Sequence, residues 1–350
     1  MRRPATTAAA RGAVTIARVA QRAGVSIATV SRIVNGVENK ASAATVARVR
    51  RAVDELGYRP ISAARSLREN RSRLVALLAA NLANPAMAAI AAAAETALRE
   101  AGLTMILCDT HDRADLQDEY LLQMRAQMAR ATVLLGAVDS PRLQSMRRDA
   151  EPLIFVNRVC PGDTAAAFVG IDNRKAGAEI ADHLLDTVGS PLAVVHGALT
   201  SSATAARVAG FRERAAARGV ALGDGDVVTA AGADHLEIGY AAAAALLDGT
   251  AAGEGRPRGV FCSSDLIAFG VHRRAREAGI AVPEEVALVG FDESPLNAWI
   301  APWLSSVEVP YAAFGTAIVA AAHDLMAERQ PAPRILPHRL VVRGSTPVAT

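Results

Sequence analysis

The chain has 350 residues, 51% of them hydrophobic and 21% charged, enough to bury one large core or two beside a small extra module. Its formal net charge of +3 conceals an asymmetry: residues 1–73 hold 15 of the 38 Lys and Arg but only 4 of the 35 Asp and Glu. A basic head on an acidic body marks a phosphate-binding module joined to something that does not bind polyanions. It speaks against a basic solvated tail, because the charge sits on a patterned, apolar-seamed segment.

No run of about 18 strongly apolar residues exists to span a membrane. Residues 1–13 read as a disordered arm with no apolar export segment. Cys108, Cys160 and Cys262 lie far apart in or beside apolar runs, which argues against a disulfide framework or a metal cluster and for buried thiols in a reducing compartment. A cytoplasmic location is the expectation.

Residues 14–35 carry the spacing of two short helices that cross at a tight turn. Thr15 and Ser26 stand where each helix needs an N-cap oxygen. Ala20 permits close approach, and Gly24 can take the positive φ that ends the first helix. Val19, Val25, Val30 and Ile33 supply the apolar seam. A second helix held this way can lie in a DNA major groove with its first turn facing base edges. Residues 42–56 predict a third helix with Val46, Val49 and Val53 as its buried stripe and Gly57 closing it. Tyr58-Arg59-Pro60 breaks the pattern, since a residue before proline avoids the helical region. The segment 61–73 is too short and polar to be a stable helix alone and reads as a hinge that folds on contact with a partner.

From Leu74 the pattern changes to apolar strands at 74–80, 103–108, 132–138, 153–157, 167–171, 191–196, 226–229, 258–263, 286–291 and 304–309. Helices at 86–100, 115–129, 174–187, 203–218, 237–248, 265–278 and 311–329 lie between them. Continuous apolar strands alternating with helices predict doubly wound parallel sheets, and this many strands predict two lobes. A ligand then binds beyond the carboxyl ends of the strands, between the lobes. The strand ends carry Asn84-Pro85, Asn157-Arg158, Asp172-Asn173, Ser264-Asp265 and Phe291-Asp292, with Arg207 on the helix after the 191–196 strand. Carboxylates, a guanidinium, amides and hydroxyls suit a polyhydroxylated small molecule of little charge. Taken singly, Asp172 or Asp292 could instead cap a helix and Arg207 could form a surface ion pair. No GxGxxG follows a strand, and GxxxxGK[ST], HExxH and GxSxG are missing, so neither a cofactor nor an enzymatic constellation is supported.

These motifs identify a resemblance. VTIARVAQRAGVSIATVSRIVN, ELGYRP and AARSLR, followed in order by NLANP, IDN, ARVAGF, SSDLIAFG, VPEEVALVGFDESP and RGST, make the chain similar to the lactose-repressor (LacI/GalR) family of bacterial transcription regulators from about Val14 to Thr346. The resemblance implies a fold: an N-terminal all-α helix-turn-helix domain (14–60), a hinge helix (61–73), and a two-lobed periplasmic-binding-protein-like α/β core (74–346). The lobes would be 74–183 plus 308–336, and 184–307 plus 337–346.

It also implies a mechanism. Ser26, Ile27, Ala28, Thr29, Ser31 and Arg32 would form the recognition face, the apolar Ile27 and Ala28 making methyl or shape contacts and Arg32 reading a base. Thr15, Ser31 and Asn35 would contact phosphates or fix the module. Leu67 would wedge between base pairs in the minor groove. A homodimer would bind a partly palindromic operator of about 14–20 bp, usually as a repressor. In the cleft, Asp172, Arg207, Ser264 and Asp292 would hydrogen-bond the hydroxyls of a sugar-like effector, with Leu82, Asn84, Tyr311 and Phe314 on the opposite wall. The chain departs from the family at Ser264 (commonly Asn), Ile61 (often Asn), Arg18 (commonly Asp) and Ala86-Met87 (usually an aromatic pair), which bears on the effector rather than the fold.

Overall fold

The structure is a computed structural model that describes residues 14–37, 40–58, 72–163, 165–232, 234–248 and 255–347. The arm, most of the expected hinge, Ile61 and Leu67 lie outside the described residues. The chain divides into two compact units, residues 1–72 and 73–350.

In the first unit three helices, α1 (Ile16–Ala23), α2 (Ile27–Val34) and α3 (Ala43–Leu56), enclose a small core. Val19, Val30 and Val49 are fully buried there, with Ala20, Ala23, Ile33, Val46 and Ala52 around them. Val25 and Val53, expected in the seam, sit half-buried at its edge. Gly24 ends α1 at φ 64°, ψ 41°, the left-handed region that costs glycine no side-chain clash and lets α2 turn back across α1.

The second unit holds two six-stranded sheets. The first has β1 (Leu74–Ala79), β2 (Thr104–Asp109), β3 (Ala131–Leu135), β4 (Leu153–Val156), β5 (Phe168–Ile171) and β11 (Arg334–Leu336), all parallel, in the order β11-β5-β4-β3-β1-β2. The second has β6 (Leu192–Val195), β7 (Val227–Val228), β8 (Gly259–Cys262), β9 (Ala287–Asp292), β10 (Ser305–Glu308) and β12 (Arg339–Val341), in the order β12-β10-β9-β8-β6-β7. Five of these run parallel, but the edge strand β12 is antiparallel to β10, where an all-parallel sheet was expected.

Around the first sheet pack α4 (Pro85–Glu100), α5 (Ala114–Ala126) and α6 (Pro141–Arg148); around the second pack α7 (Asn173–Thr187), α8 (Ser202–Ala217), α9 (His235–Leu247), α10 (Asp265–Glu277) and the single turn α11 (Asn297–Ile300). Helix α12 (Tyr311–Met326) returns to the first sheet and packs on α4. The chain thus passes between lobes three times, from β5 to α7, from β10 to α12, and from β11 to β12. The divide expected at 183/184 falls inside α7. Ala176, Ile180, Ala181 and Leu184 of that helix share a core with Phe211 and Ala215 of α8, so the whole helix belongs to the second lobe and the divide lies at Asp172.

Helices α7 and α8 meet backbone to backbone. A Cβ on Gly177 would lie 2.1 Å from the Arg207 carbonyl oxygen, and one on Gly210 would lie 1.9 Å from that of Arg174. Gly239 and Gly270 make the same close crossing between α9 and α10, and Gly315 of α12 abuts the Ala93 carbonyl of α4. The tail is tied in as well. The Ser345 hydroxyl donates to the Leu288 carbonyl at 2.6 Å and accepts from the Ser305 N–H at 2.8 Å, so the RGST motif clamps β9 and β10 together.

Candidate functional site

In the first unit α2 is capped as its sequence asks: the Ser26 hydroxyl accepts from the Thr29 N–H at 3.2 Å. Its exposed face presents Ser26, Ile27, Ala28 and Arg32, with Ile27 51% exposed despite being apolar. Thr29 is half-buried, its hydroxyl 2.9 Å from that of Ser26. Ser31 departs from the expected face. It is 8% exposed, turned toward the helix's packed side. Asn35 is half-buried and donates from Nδ2 to the Ser31 carbonyl at 2.6 Å, which closes the end of α2. Thr15 is exposed and holds the N-cap position of α1, but its side chain makes no capping bond; its backbone carbonyl accepts from Arg18 and Val19 instead.

In the second unit the carboxyl ends of both sheets open on one narrow cleft, with a cavity of about 80 Å³. Arg207, on the second turn of α8, is its centre. Buried to 6% exposure, it donates from Nε to the Asn173 Oδ1 at 2.8 Å, and from Nη1 to the Ser263 carbonyl at 2.9 Å and the Asp292 Oδ1 at 3.4 Å. The guanidinium lies flat over Phe291, 3.4 Å from the ring centre. Burial drives its pKa down, opposed chiefly by Asp292, yet an arginine stays charged; this charge is tolerable inside the protein because it is paired, stacked and hydrogen-bonded. Burial likewise pushes the Asp292 carboxyl up, to about 6, with Arg207 opposing.

Ser264 caps α10 through the Ile267 N–H, and its hydroxyl lies 2.9 Å from Nδ1 of His235, the first residue of α9. That imidazole extends the polar reach of a serine where the family commonly has asparagine. Burial, and then Arg207, pushes the His235 pKa below its ordinary value. From the first lobe, Asn84 caps α4 by accepting from the Ala86 N–H at 2.9 Å, and it lines the cleft beside Ala86, Met87 and Phe314. The Tyr311 hydroxyl donates to the Asp292 carbonyl at 2.6 Å, so the ring lines the wall with its polar end engaged.

Six of the eight expected cleft residues are therefore brought together: Asn84, Arg207, Ser264, Asp292, Tyr311 and Phe314. Two are not. Asp172 is exposed on the far side of the β5 end and caps α7 by accepting from the Lys175 N–H at 2.9 Å; its neighbour Asn173 turns inward to Arg207. Leu82 is half-buried and packs on the core beneath the wall, its N–H donating to Asp109 at 2.9 Å. Asp112, Ser201, Thr204 and His235 also line the cleft but were not assigned there from sequence, and Arg158, named from sequence only as one of the strand-end polar residues, lines it too. The signal for Arg158 was its strand-end place; for the others no local motif marks them. Three lining residues, Asp112 (φ 56°), Asn157 (φ 67°) and Asp292 (φ 113°), hold left-handed backbone at strand ends, strain of the kind that collects at functional sites. Among the described residues no group of His, Cys, Asp and Glu could hold a metal ion, and no helix is long and apolar enough to cross a membrane.

Two family models match the chain. That of bacterial regulatory proteins, lacI family, covers residues 15–60, and that of the periplasmic binding protein-like domain covers residues 170–346. The chain is 31% identical over 345 residues to the HTH-type transcriptional regulator PtxS of Pseudomonas aeruginosa, covering 96% of each chain. It is 33% identical over 350 residues to the HTH-type transcriptional regulator MalR of Streptomyces coelicolor, covering 95% of this chain and 96% of that one. Among solved structures, the lac repressor dimer bound to operator and the anti-inducer ONPF shares the fold, with a TM-score of 0.80 at 22% identity over 95% of this chain and 99% of that one. The complex of the transcriptional regulator CelR with cellobiose aligns with a TM-score of 0.69 at 27% identity, over 95% of this chain and 99% of that one. The chain, with a three-helix unit followed by a two-lobed α/β core and matched along nearly its full length by such regulators, belongs to the LacI family of bacterial transcriptional regulators.

Proposed function

We propose that this regulator is a cytoplasmic, homodimeric repressor whose affinity for a partly palindromic operator is set by a sugar or sugar derivative bound in the interlobe cleft. The observation that carries the reading is the Arg207 network, a desolvated guanidinium joined to Asn173, Ser263 and Asp292 at the mouth of both sheets. Buried amide, carboxyl and hydroxyl groups converging there match the alternating donors and acceptors of a polyol. CelR, a relative in fold and sequence, is recorded with cellobiose. Ligand contacts to both lobes favour one lobe angle over another, and only that difference in affinity can alter DNA binding.

On the DNA side, Ile27 and Ala28 make apolar contacts to base edges and Arg32 supplies the polar one, with Thr15 on the DNA backbone, Ser31 and Asn35 fixing the module from within by closing the end of α2, and Leu67 serving as the minor-groove wedge. The homodimer has a suitable face around α11, where Leu296 just before the helix and Trp299 and Ile300 within it are 45%, 85% and 60% exposed. Selection of bound random DNA should return an inverted repeat, and a gel shift with that operator should respond to the cognate polyol. Recovery of sites without two-fold symmetry would refute the dimeric reading.

A further inference from the structure

The cleft carries a second guanidinium that a neutral polyol does not require. Arg158, just beyond β4, is 9% exposed, and its Nη1 and Nη2 donate to the two oxygens of Asp112 at 2.5 and 3.1 Å. Its Nε is buried with no hydrogen-bond partner. A buried N–H left unsatisfied is costly, so the end-on pair with Asp112 is an incomplete solution. Asp112 stands at the rim, its side chain 40% exposed, on two successive left-handed residues, His111 and Asp112 (φ 50° and 56°).

Across the lobes from Arg158 lies the start of α8. The Val159 N–H donates to the Ser202 hydroxyl at 3.0 Å, which brings this strand end against that helix N-terminus. The helix has 16 residues and no acidic residue in its first turn, and Ser201 caps the Thr204 N–H while Ala203 and Thr204 line the cleft. The first-turn N–H groups and the helix dipole point their positive end there and favour an anion. The cleft carboxylates are already engaged: Asp112 with Arg158 and Asp292 with Arg207, while Asp265 behind them accepts from Ser294, Asn297 and Ser306.

We propose that the effector is a polyol bearing one anionic group, a carboxylate or a phosphate ester, and that this group docks between Arg158 and the first turn of α8, displacing Asp112 from the guanidinium. Side-on approach to Nε and Nη2 gives the orphan N–H a partner and makes the bidentate fork that arginine offers to carboxylate and phosphate alike. Asp112 is then the resident stand-in, released to the rim when the ligand arrives. The proposal rests on the cleft being the effector site.

The test is calorimetry on the full-length chain with matched probes: neutral hexoses, their aldonates and uronates, and their 6-phosphates. At least one acid or phosphate should bind about tenfold or more tighter than its neutral parent, the scale of one lost charge-assisted fork. Which arm gains, acid or phosphate, identifies the source of the anion. Arg158→Gln should remove the preference, Arg158→Lys should keep part of it, and Asp112→Asn should strengthen it by removing the competitor. Unliganded melting curves verify that each variant is folded, and Asp112→Asn still decides if Arg158→Gln is not. Neutral parents binding as well as their anions, a preference that survives Arg158→Gln, or no anion binding at millimolar concentration would each overturn the proposal. Neutral polyol binding that is lost in Arg207→Ala leaves the cleft reading intact while the anion fails; binding indifferent to both arginines sinks the cleft reading itself.

Discussion

Arg207 concentrates the cleft's chemistry, because one side chain links α8, the β8 end, the β9 end and Asn173 of α7. Arg207→Ala should abolish the effector's influence on operator binding while leaving unliganded binding intact, as read in gel shifts with and without ligand; a variant that still responds places the effector elsewhere. On the DNA side, Arg32→Ala should weaken specific binding by about 1–3 kcal/mol and relax preference at one base position, the signature of a lost base contact rather than a phosphate contact. Equal losses on all sequences would move Arg32 to the backbone.

The Asp292 carboxyl, raised to about 6 by burial, makes a further prediction. A carboxyl that titrates higher folded than unfolded binds an extra proton in the native state, so its stabilising share is present below its unfolded value near 3.9 and disappears as the pH climbs through about 6. Asp292→Asn should therefore gain stability relative to the parent as the pH rises across that window, measured as the difference between urea unfolding curves. A difference that stays level or falls would show that Arg207 fully offsets the burial. Single residues were also where the sequence was hardest to read. Asp172 and Asn173 are adjacent and both polar, and only the turn geometry after β5 decides which one caps and which one faces Arg207. Ser31 lies within the recognition-helix motif, but the 100° step between helical residues puts it on the packed side.

At the scale of elements, the long strands and helices were legible because parallel strands covered on both faces are continuously apolar and their crossover helices are amphipathic. The misses are short. The strands β11 and β12 have three residues each in a proline-bounded, half-exposed stretch, and α6 buries only Leu143 and Met146. Neither length nor pattern separates such pieces from loops. The crossing of α7 and α8 was also invisible, since a glycine in a helical pattern does not declare what it touches. Gly210→Ala should drive Cβ into the Arg174 carbonyl, lower stability by about 1–3 kcal/mol in denaturant unfolding, and blunt the ligand response by shifting Arg207. Unchanged stability would mean that the helices can separate freely. On α11, Trp299→Asp should convert the dimer to monomer in sedimentation, with loss of operator affinity; an unaltered dimer places the interface on another face.

Across the whole molecule, charge and core are partitioned by unit: the basic excess lies in residues 1–73, and the large apolar cores lie in the α/β unit. That division was readable from composition. The lobe boundary was not, because α7 follows a strand of the first sheet yet packs on the second, and sequence order says nothing about which sheet a crossover helix will cover. In the function proposed above, recognition falls to α2 and sensing to the cleft, and three linking segments join the lobes of the core.

The interlocked glycines have a mechanical meaning. Helices seated carbonyl against Cα have no slack to absorb a small push, so α7 with α8, α9 with α10, and α4 with α12 each travel as a single plank. In the function proposed above, distortion at a bound ligand has no soft interior in which to dissipate and should emerge at the linking segments as a change of tilt.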